Sequence, residues 1–166
     1  MRHIISILLQ NEAGALARVS GMFSSRGYNI DSLCVAPTHD PVVSRLTLVT
    51  TGSDAVIEQI IKQTRKLVDV VEITDLSSAD HLECELAMLK VQVKHGAARQ
   101  VVDCVRRHRG QILDESDNTR MLLLSGTGME VDAFVVEVSK IAEVLEMVRS
   151  GVAALARGQQ VLAVPV

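Results

Sequence analysis

Three residues near the start of the chain have types and spacing that could do chemistry: Asn11, Gly14 and Asn29, in the stretch "NEAGALARVSGMFSSRGYNI" over 11–30. An apolar run, "IISILL", ends just before it, and a helical pattern begins almost at once. The first backbone N–H groups of a helix have no intrahelical acceptor and carry the positive end of its dipole. A carboxylate or phosphate placed there is stabilised. Glycine at such a joint permits close approach of a ligand or of neighbouring backbone, and the Asn11 amide offers both a donor and an acceptor. Together these groups suit a small zwitterion, its carboxylate on the helix N-terminus and its amino group on an amide oxygen. The same residues are also ordinary turn formers, with Asn11 capping the turn and Gly14 relieving a tight φ angle. Physics alone leaves both readings open. The spacing is not G-x-G-x-x-G, so a dinucleotide site is not expected.

Elsewhere the chemistry is sparse. His3, His39, His81, His95 and His108 are scattered, and no His/Cys/Asp cluster has metal-ligand spacing, so no metal site is expected. No G-x-S-x-G elbow and no convergent acid, base and nucleophile set is present, so no catalytic residues are expected. His81 and Glu83 read as part of a solvated joint. The run Arg106-Arg107-His108-Arg109 sits at the end of a helical pattern, where it either complements the helix dipole or meets an acidic patch on a partner. Cys34, Cys84 and Cys104 are an odd number without Cys-x-x-Cys spacing, which fits a reduced, cytoplasmic protein. Cys34 and Cys104 read as fillers of core or surface.

The elements that must position the first stretch follow from periodicity. "HIISILL" alternates as a strand, and Leu16, Val19, Met22 and Phe23 form a helical stripe that stops at Gly27. "NIDSLCVAP" and "VVSRLTLVT" are strands on either side of the turn "THDP". Ser53 or Asp54 caps a helix bearing Val56, Ile57, Ile60, Ile61 and Thr64, and "VDVVEITDL" is a fourth strand. The order β-α-β-β-α-β over 2–76 is the ferredoxin-like arrangement, an antiparallel four-stranded sheet with both helices on one face. After a polar joint at 77–82 the order recurs without sequence identity. A strand "ECELAMLKVQV" comes first, then a helix from about Ala97 and a strand pair across Asp117-Asn118. A helix with Val131, Phe134 and Val138 inward follows, and "VLEMVRSG" closes the order. The fold class is therefore α+β, two tandem ferredoxin-like (βαββαβ) domains, with boundaries at 1–76, 77–82 and 83–166. The tail after Gly151 has no assigned element.

The 166-residue chain is 48% hydrophobic but only 2% aromatic, so its core is aliphatic and it lacks the stacking platforms of single-strand nucleic-acid binders. A net charge of −3 gives no overall basic face for a polyanion, which leaves only local patches. The N-terminal apolar run is short and has no small-residue cleavage site, so it does not read as a signal peptide, and no segment reaches the ~18 apolar residues of a membrane span. Ile4 and Leu8 in the first strand, and Leu86 and Met88 in the fifth, make both faces of their strands apolar. Helices cover only one face of such a sheet. The other face needs the second domain or a second subunit, and the pattern predicts a homodimer.

The combination "N-E-x-G-x-L-x-R-V" with "R-G-Y-N-I-x-S-L", followed by "VSRLTLVT" and "KQTRKLVDVVEITDL", resembles the small, regulatory subunits of acetolactate synthase (acetohydroxyacid synthase). The likeness extends through "RGQILD" to "RSGVAALARG" and is densest over 4–76, which resembles an ACT domain. The resemblance implies a non-catalytic chain that activates a separate catalytic large subunit and confers feedback inhibition by a branched-chain amino acid, usually valine. It implies that thiamine diphosphate, a divalent metal and usually FAD belong to that large subunit, with no cofactor in this chain. It places Asn11 and Gly14 on the effector loop, with Ala15 and Leu16 supplying backbone N–H groups. Asn29 and Ile30 would complete the site from a neighbouring subunit, with Leu9 and Ile30 as the wall for the aliphatic side chain. The resemblance matches more loosely in the C-terminal half, whose role it leaves open. A stand-alone amino-acid sensor acting through another protein is the competing class.

Overall fold

The structure, a computed structural model, describes residues 1–165. Its first six elements are β1 (Arg2–Gln10), α1 (Ala15–Ser25), β2 (Ser32–Pro37), β3 (Val43–Thr51), α2 (Asp54–Thr64) and β4 (Val70–Asp75). They form an antiparallel sheet in the order β2-β3-β1-β4. The register pairs Gln10 with Val43 and Arg2 with Thr51, so β1 ends where β3 begins. Ile5, Ile7 and Leu9 of β1 and Leu46 and Leu48 of β3 face one side. They pack there against Val19, Met22 and Phe23 of α1 and Ile57 and Ile60 of α2, as the periodicity predicts for two helices on one face.

The ends of the helices have identifiable causes. Gly27 takes φ +70°, and its N–H donates to the Ser24 carbonyl while the Tyr28 N–H donates to Phe23. That double closure needs a left-handed residue, and the Tyr28 ring then meets Phe23 edge-on at 6.3 Å. α2 starts at Ser53, whose hydroxyl accepts from the Val56 N–H, with Asp54 in the first turn. β2 begins at Ser32, three residues later than the sequence pattern predicts. Asn29 is held ahead of the strand instead, its amide donating to Asp31 at 2.6 Å and its carbonyl accepting from the Thr50 hydroxyl at 2.6 Å.

The second set is β5 (His81–Val93), α3 (Ala98–Arg107), β6 (Gln111–Ser116), β7 (Thr119–Gly126), α4 (Gly128–Ile141) and β8 (Ala142–Arg149). Its strands order as β6-β7-β5-β8, and Ala87, Leu89, Val91, Val101, Val105, Leu122, Phe134 and Val138 fill its core. Thr127 and Glu130 close a reciprocal capping box at the start of α4. On the sheet's other side Leu86 and Val148 are exposed and Met88 is half-buried.

The chain divides into two compact units, Glu83–Gly151 and the remainder. Two expectations change here. The division falls inside β5 rather than in a loose joint, because His81 and Leu82 already have strand geometry. The residues from Val152 onward group with the first unit, not with 83–151. The reason is burial. β9 (Ala153–Ala156) follows Val152, and Val152 and Ala154 pack on Ile4, Val49 and Leu76, on the sheet face away from the helices. The Val152 N–H donates to the Ser32 hydroxyl, Arg45 donates to the Ala154 carbonyl, and the Arg157 N–H donates to Asp80. Part of the face predicted to need a partner is thus covered by the chain's own return. No helix among the described residues is long and apolar enough to cross a membrane.

Candidate functional site

The joint between β1 and α1 is a short turn. The Asn11 N–H donates to the Val42 carbonyl, which ties the turn to the start of β3. Its side-chain amide donates to the Pro41 carbonyl at 2.9 Å and accepts from the Ser44 hydroxyl at 3.1 Å. Gly14 has φ +89° and ψ −11°, a conformation that favours glycine. So Gly14 does meet a backbone requirement, and Asn11 does pin the turn.

The start of α1 differs from those of α2 and α4. No side chain caps it, and its first turn holds no acidic residue. The Ala15 N–H donates to the Glu12 carbonyl at 3.2 Å, and the N–H groups that follow it in this turn have no intrahelical acceptor. Arg18 adds a cation beside them: a Cβ built on Gly14 would lie 2.8 Å from its Nη1. The guanidinium is held there by a two-point grip on Asp69, with Nη2 to Oδ1 at 2.6 Å and Nε to Oδ2. This grip, with the buried setting of Asp69, fixes the Arg18 fork in place. The Arg18 guanidinium holds the Asp69 carboxyl below the usual carboxylate range. Asp69 also accepts the Gln10 N–H at its backbone carbonyl. The same residue therefore supports both the end of β1 and the cation over Gly14.

The other predicted site residues separate into two groups. Ala15 is buried, and Leu16 is exposed, both in the first turn of α1 beside Gly14. Asn29 and Ile30 lie near Thr50 and Val49, at the opposite end of β3 from Ser44 and Asn11. Six residues of strand separate Ser44 from Thr50, or ~20 Å. One chain does not bring Asn11 and Asn29 onto one small molecule. Leu9 is 1% exposed and lies in the helix-side core, where Ile30 also packs. It therefore presents no open wall to a ligand in this arrangement.

Sequence reading missed two features. Asp69 carried no signal on its own; only the fold reveals that it faces Arg18. In the second unit, Cys104 and His108 of the α3 turn meet Glu137 of α4, with their donor atoms all within 4.8 Å. The four-residue spacing of Cys104 and His108 on a helix was visible; the third group, 29 residues later, was not. Arg107 and His108 both bind Glu137, so this part of the basic run is engaged across the helix pair.

Comparison with known proteins gives the family. Residues 5–72 match the model described as "AHAS small subunit-like ACT domain", and residues 84–158 match "Small subunit of acetolactate synthase". The chain is 44% identical over 162 residues to the acetolactate synthase isozyme 3 small subunit of Escherichia coli, covering 98% of this chain and 99% of that one. It is 43% identical to the acetolactate synthase small subunit of Haemophilus influenzae, over 96% of this chain and 98% of that one. The crystal structure of the acetolactate synthase small subunit from Thermotoga maritima superimposes with a TM-score of 0.86 at 33% identity, over 96% of this chain and 99% of that one. An ACT-type βαββαβ unit, a second βαββαβ unit, and likeness along nearly the whole chain place this protein in the acetolactate synthase small subunit family.

Proposed function

We propose that this chain is the regulatory partner of a catalytic acetolactate synthase large subunit, which it activates and makes sensitive to valine. The observation that carries the effector part is the start of α1: an uncapped helix N-terminus behind a left-handed Gly14, with the Arg18 guanidinium over it. Such a place receives a carboxylate. Asn11 retains unused hydrogen-bonding capacity beyond its bonds to Pro41 and Ser44, which leaves it available to the ligand's amino group. Gly14 and Leu16 present the backbone, and the Ala15 N–H would have to leave the Glu12 carbonyl to join them. Asn29 and Ile30 act from a second copy of the chain, since within one chain they lie at the far end of the sheet.

The pairing edge is β2, a border strand of the first sheet with an exposed second half. Thiamine diphosphate, the divalent metal of catalysis and, as is usual in the family, FAD belong to the large subunit in this reading. The free thiols of Cys34, Cys84 and Cys104 fit work in the cytoplasm. The deciding experiment is reconstitution with the large subunit. Acetolactate formation from pyruvate should rise when this chain is added and fall again with L-valine. A large subunit whose rate and valine response are unchanged by the chain would overturn the proposal.

A further inference from the structure

We propose that Cys104, His108 and Glu137 form a binding site for a soft divalent cation, zinc fitting best, that clamps α3 to α4 in the second unit. The donor atoms of the three residues lie within 4.8 Å of one another. In a tetrahedral site with ligand bonds of ~2.0–2.3 Å, neighbouring donors stand ~3.3–3.7 Å apart. Small side-chain rotations therefore suffice. The donor set, one sulfur, one imidazole nitrogen and one carboxylate oxygen, is that of zinc rather than of magnesium or calcium, which take oxygen.

The surroundings supply what a metal site needs. Cys104 is fully buried at the inner end, and the His108 and Glu137 side chains are partly exposed at the outer end. The cluster thus has a dry floor and an entry path. His108 Nε2 lies 2.7 Å from Glu137 Oε2, while Arg107 binds Oε1 of the same carboxylate. Arg107 therefore orients the carboxylate from behind, as outer-shell partners of metal ligands do. The Phe134 ring, 5.3 Å from the imidazole, limits how far His108 can turn. Three protein ligands leave a fourth position on the exposed side for water.

The donor set supplies two negative charges, and Arg107 leaves one positive charge at the exposed, outer end. A thiolate and the Glu137 carboxylate neutralise a dication, and Arg107 stays paired with the carboxylate. A cysteine thiol is protonated at neutral pH unless a cation draws the proton off. Binding then forms the sulfur–metal bond and releases the thiol proton to solvent. This proton release gives the site a signature that a mere hydrogen-bonded cluster lacks.

The test uses the full chain, stripped with a chelator and titrated with zinc, with cobalt(II) as the optical probe. The expected result is one saturable equivalent, tetrahedral d–d bands, and a thiolate-to-cobalt charge-transfer band. Cys104→Ser should abolish the charge-transfer band. His108→Gln, which changes a partly exposed side chain, should weaken zinc binding by at least roughly 10- to 100-fold, the range seen for lost outer-shell partners, while circular dichroism confirms the fold. A charge-transfer band that survives in Cys104→Ser would place the ion on Cys34 or Cys84 and overturn the assignment. No saturable binding, or binding unchanged by folded His108→Gln, would overturn it as well.

Discussion

Replacing Gly14 by Asp puts a carboxylate at the position proposed for the effector's own. Two costs follow from the structure. With φ at +89°, any side chain at this position is strained, by ~1–2 kcal/mol. In a two-state chain of this length each kcal/mol lowers the melting temperature by ~2–4 °C, so the variant should melt ~2–8 °C lower. The second cost falls on the ligand. Two carboxylates ~4 Å apart repel by ~1 kcal/mol in water and ~4 kcal/mol at the effective dielectric of a protein surface. At 1.4 kcal/mol per decade this is a roughly 5- to 1,000-fold loss of valine affinity. Arg18, whose Nη1 would lie 2.8 Å from the new Cβ, pivots toward the introduced charge and moderates the repulsion, which favours the lower part of that range. Gly14→Ala separates the two costs, because it has the strain without the charge. Calorimetric titration of both variants with L-valine, beside the reconstituted enzyme assay, reads the outcome. Asp should lose valine response while retaining activation, and Ala should lose less. Full valine sensitivity in Gly14→Asp would refute the placement of the effector, and equal losses in Asp and Ala would refute the electrostatic account of it.

The isolated chain should form no acetolactate from pyruvate, checked on material shown by mass spectrometry to be free of large subunit; turnover there would contradict a purely regulatory role. Asn11→Ala and Asn29→Ala should each abolish valine binding alone, yet a refolded mixture should recover about one site per mixed dimer, since one of its two sites then has both asparagines; no recovery would speak against a site shared between chains. Phe23→Ala, at a ring with no exposed surface, should cost ~3–5 kcal/mol by urea denaturation, and a loss under ~1 kcal/mol would show that the helix-side core is not packed as described. The folded-state pKa of Asp69 is lowered by Arg18, so the stability it contributes is complete above the unfolded value of ~3.9 and is lost as pH falls through the lower folded value. Asp69→Asn should therefore flatten the acid limb of the pH–stability curve without abolishing it, because Glu130 and Glu137 are lowered too; an unchanged limb would mean that Asp69 titrates alike in both states.

Local signals made most of the fold legible. The stripe of Val19, Met22 and Phe23, the Gly27 stop and the Ser53 start are each set within a few residues, and each stands where the pattern places it. What failed to show depends on contacts distant in sequence. Val152 and Ala154 have no periodicity of their own, and their strand exists because Ile4, Val49 and Leu76 offer them an apolar face. The start of β2 was misplaced because Asn29 and Asp31 bond to each other and to the end of β3, a preference that an alternating pattern does not encode. The proposed site is read from the sequence as a set of residue types. Its cation is not, since Arg18 reads as one more exposed position of a helix until Asp69 turns it over Gly14.

The sheet order explains why one effector would need two chains. β3 pairs with both β1 and β2, and it carries the Asn11 turn at its Ser44 end and Asn29 at its Thr50 end. β2 runs antiparallel to β3, from Ser32 opposite Val49 to Pro37 opposite Ser44. In the proposed dimer, a two-fold axis through the β2 border would pair the strand antiparallel with its own copy, and so set the Asn29 end of one chain toward the Asn11 end of the other. The same operation satisfies the unpaired backbone groups of a border strand, which otherwise invite non-specific pairing. Effector binding and dimer formation would then draw on the same strand. A ligand that touches both chains stabilises the pair by mass action, so valine should shift the monomer–dimer equilibrium in sedimentation toward dimer. An equilibrium indifferent to saturating valine would place the two asparagines on separate sites.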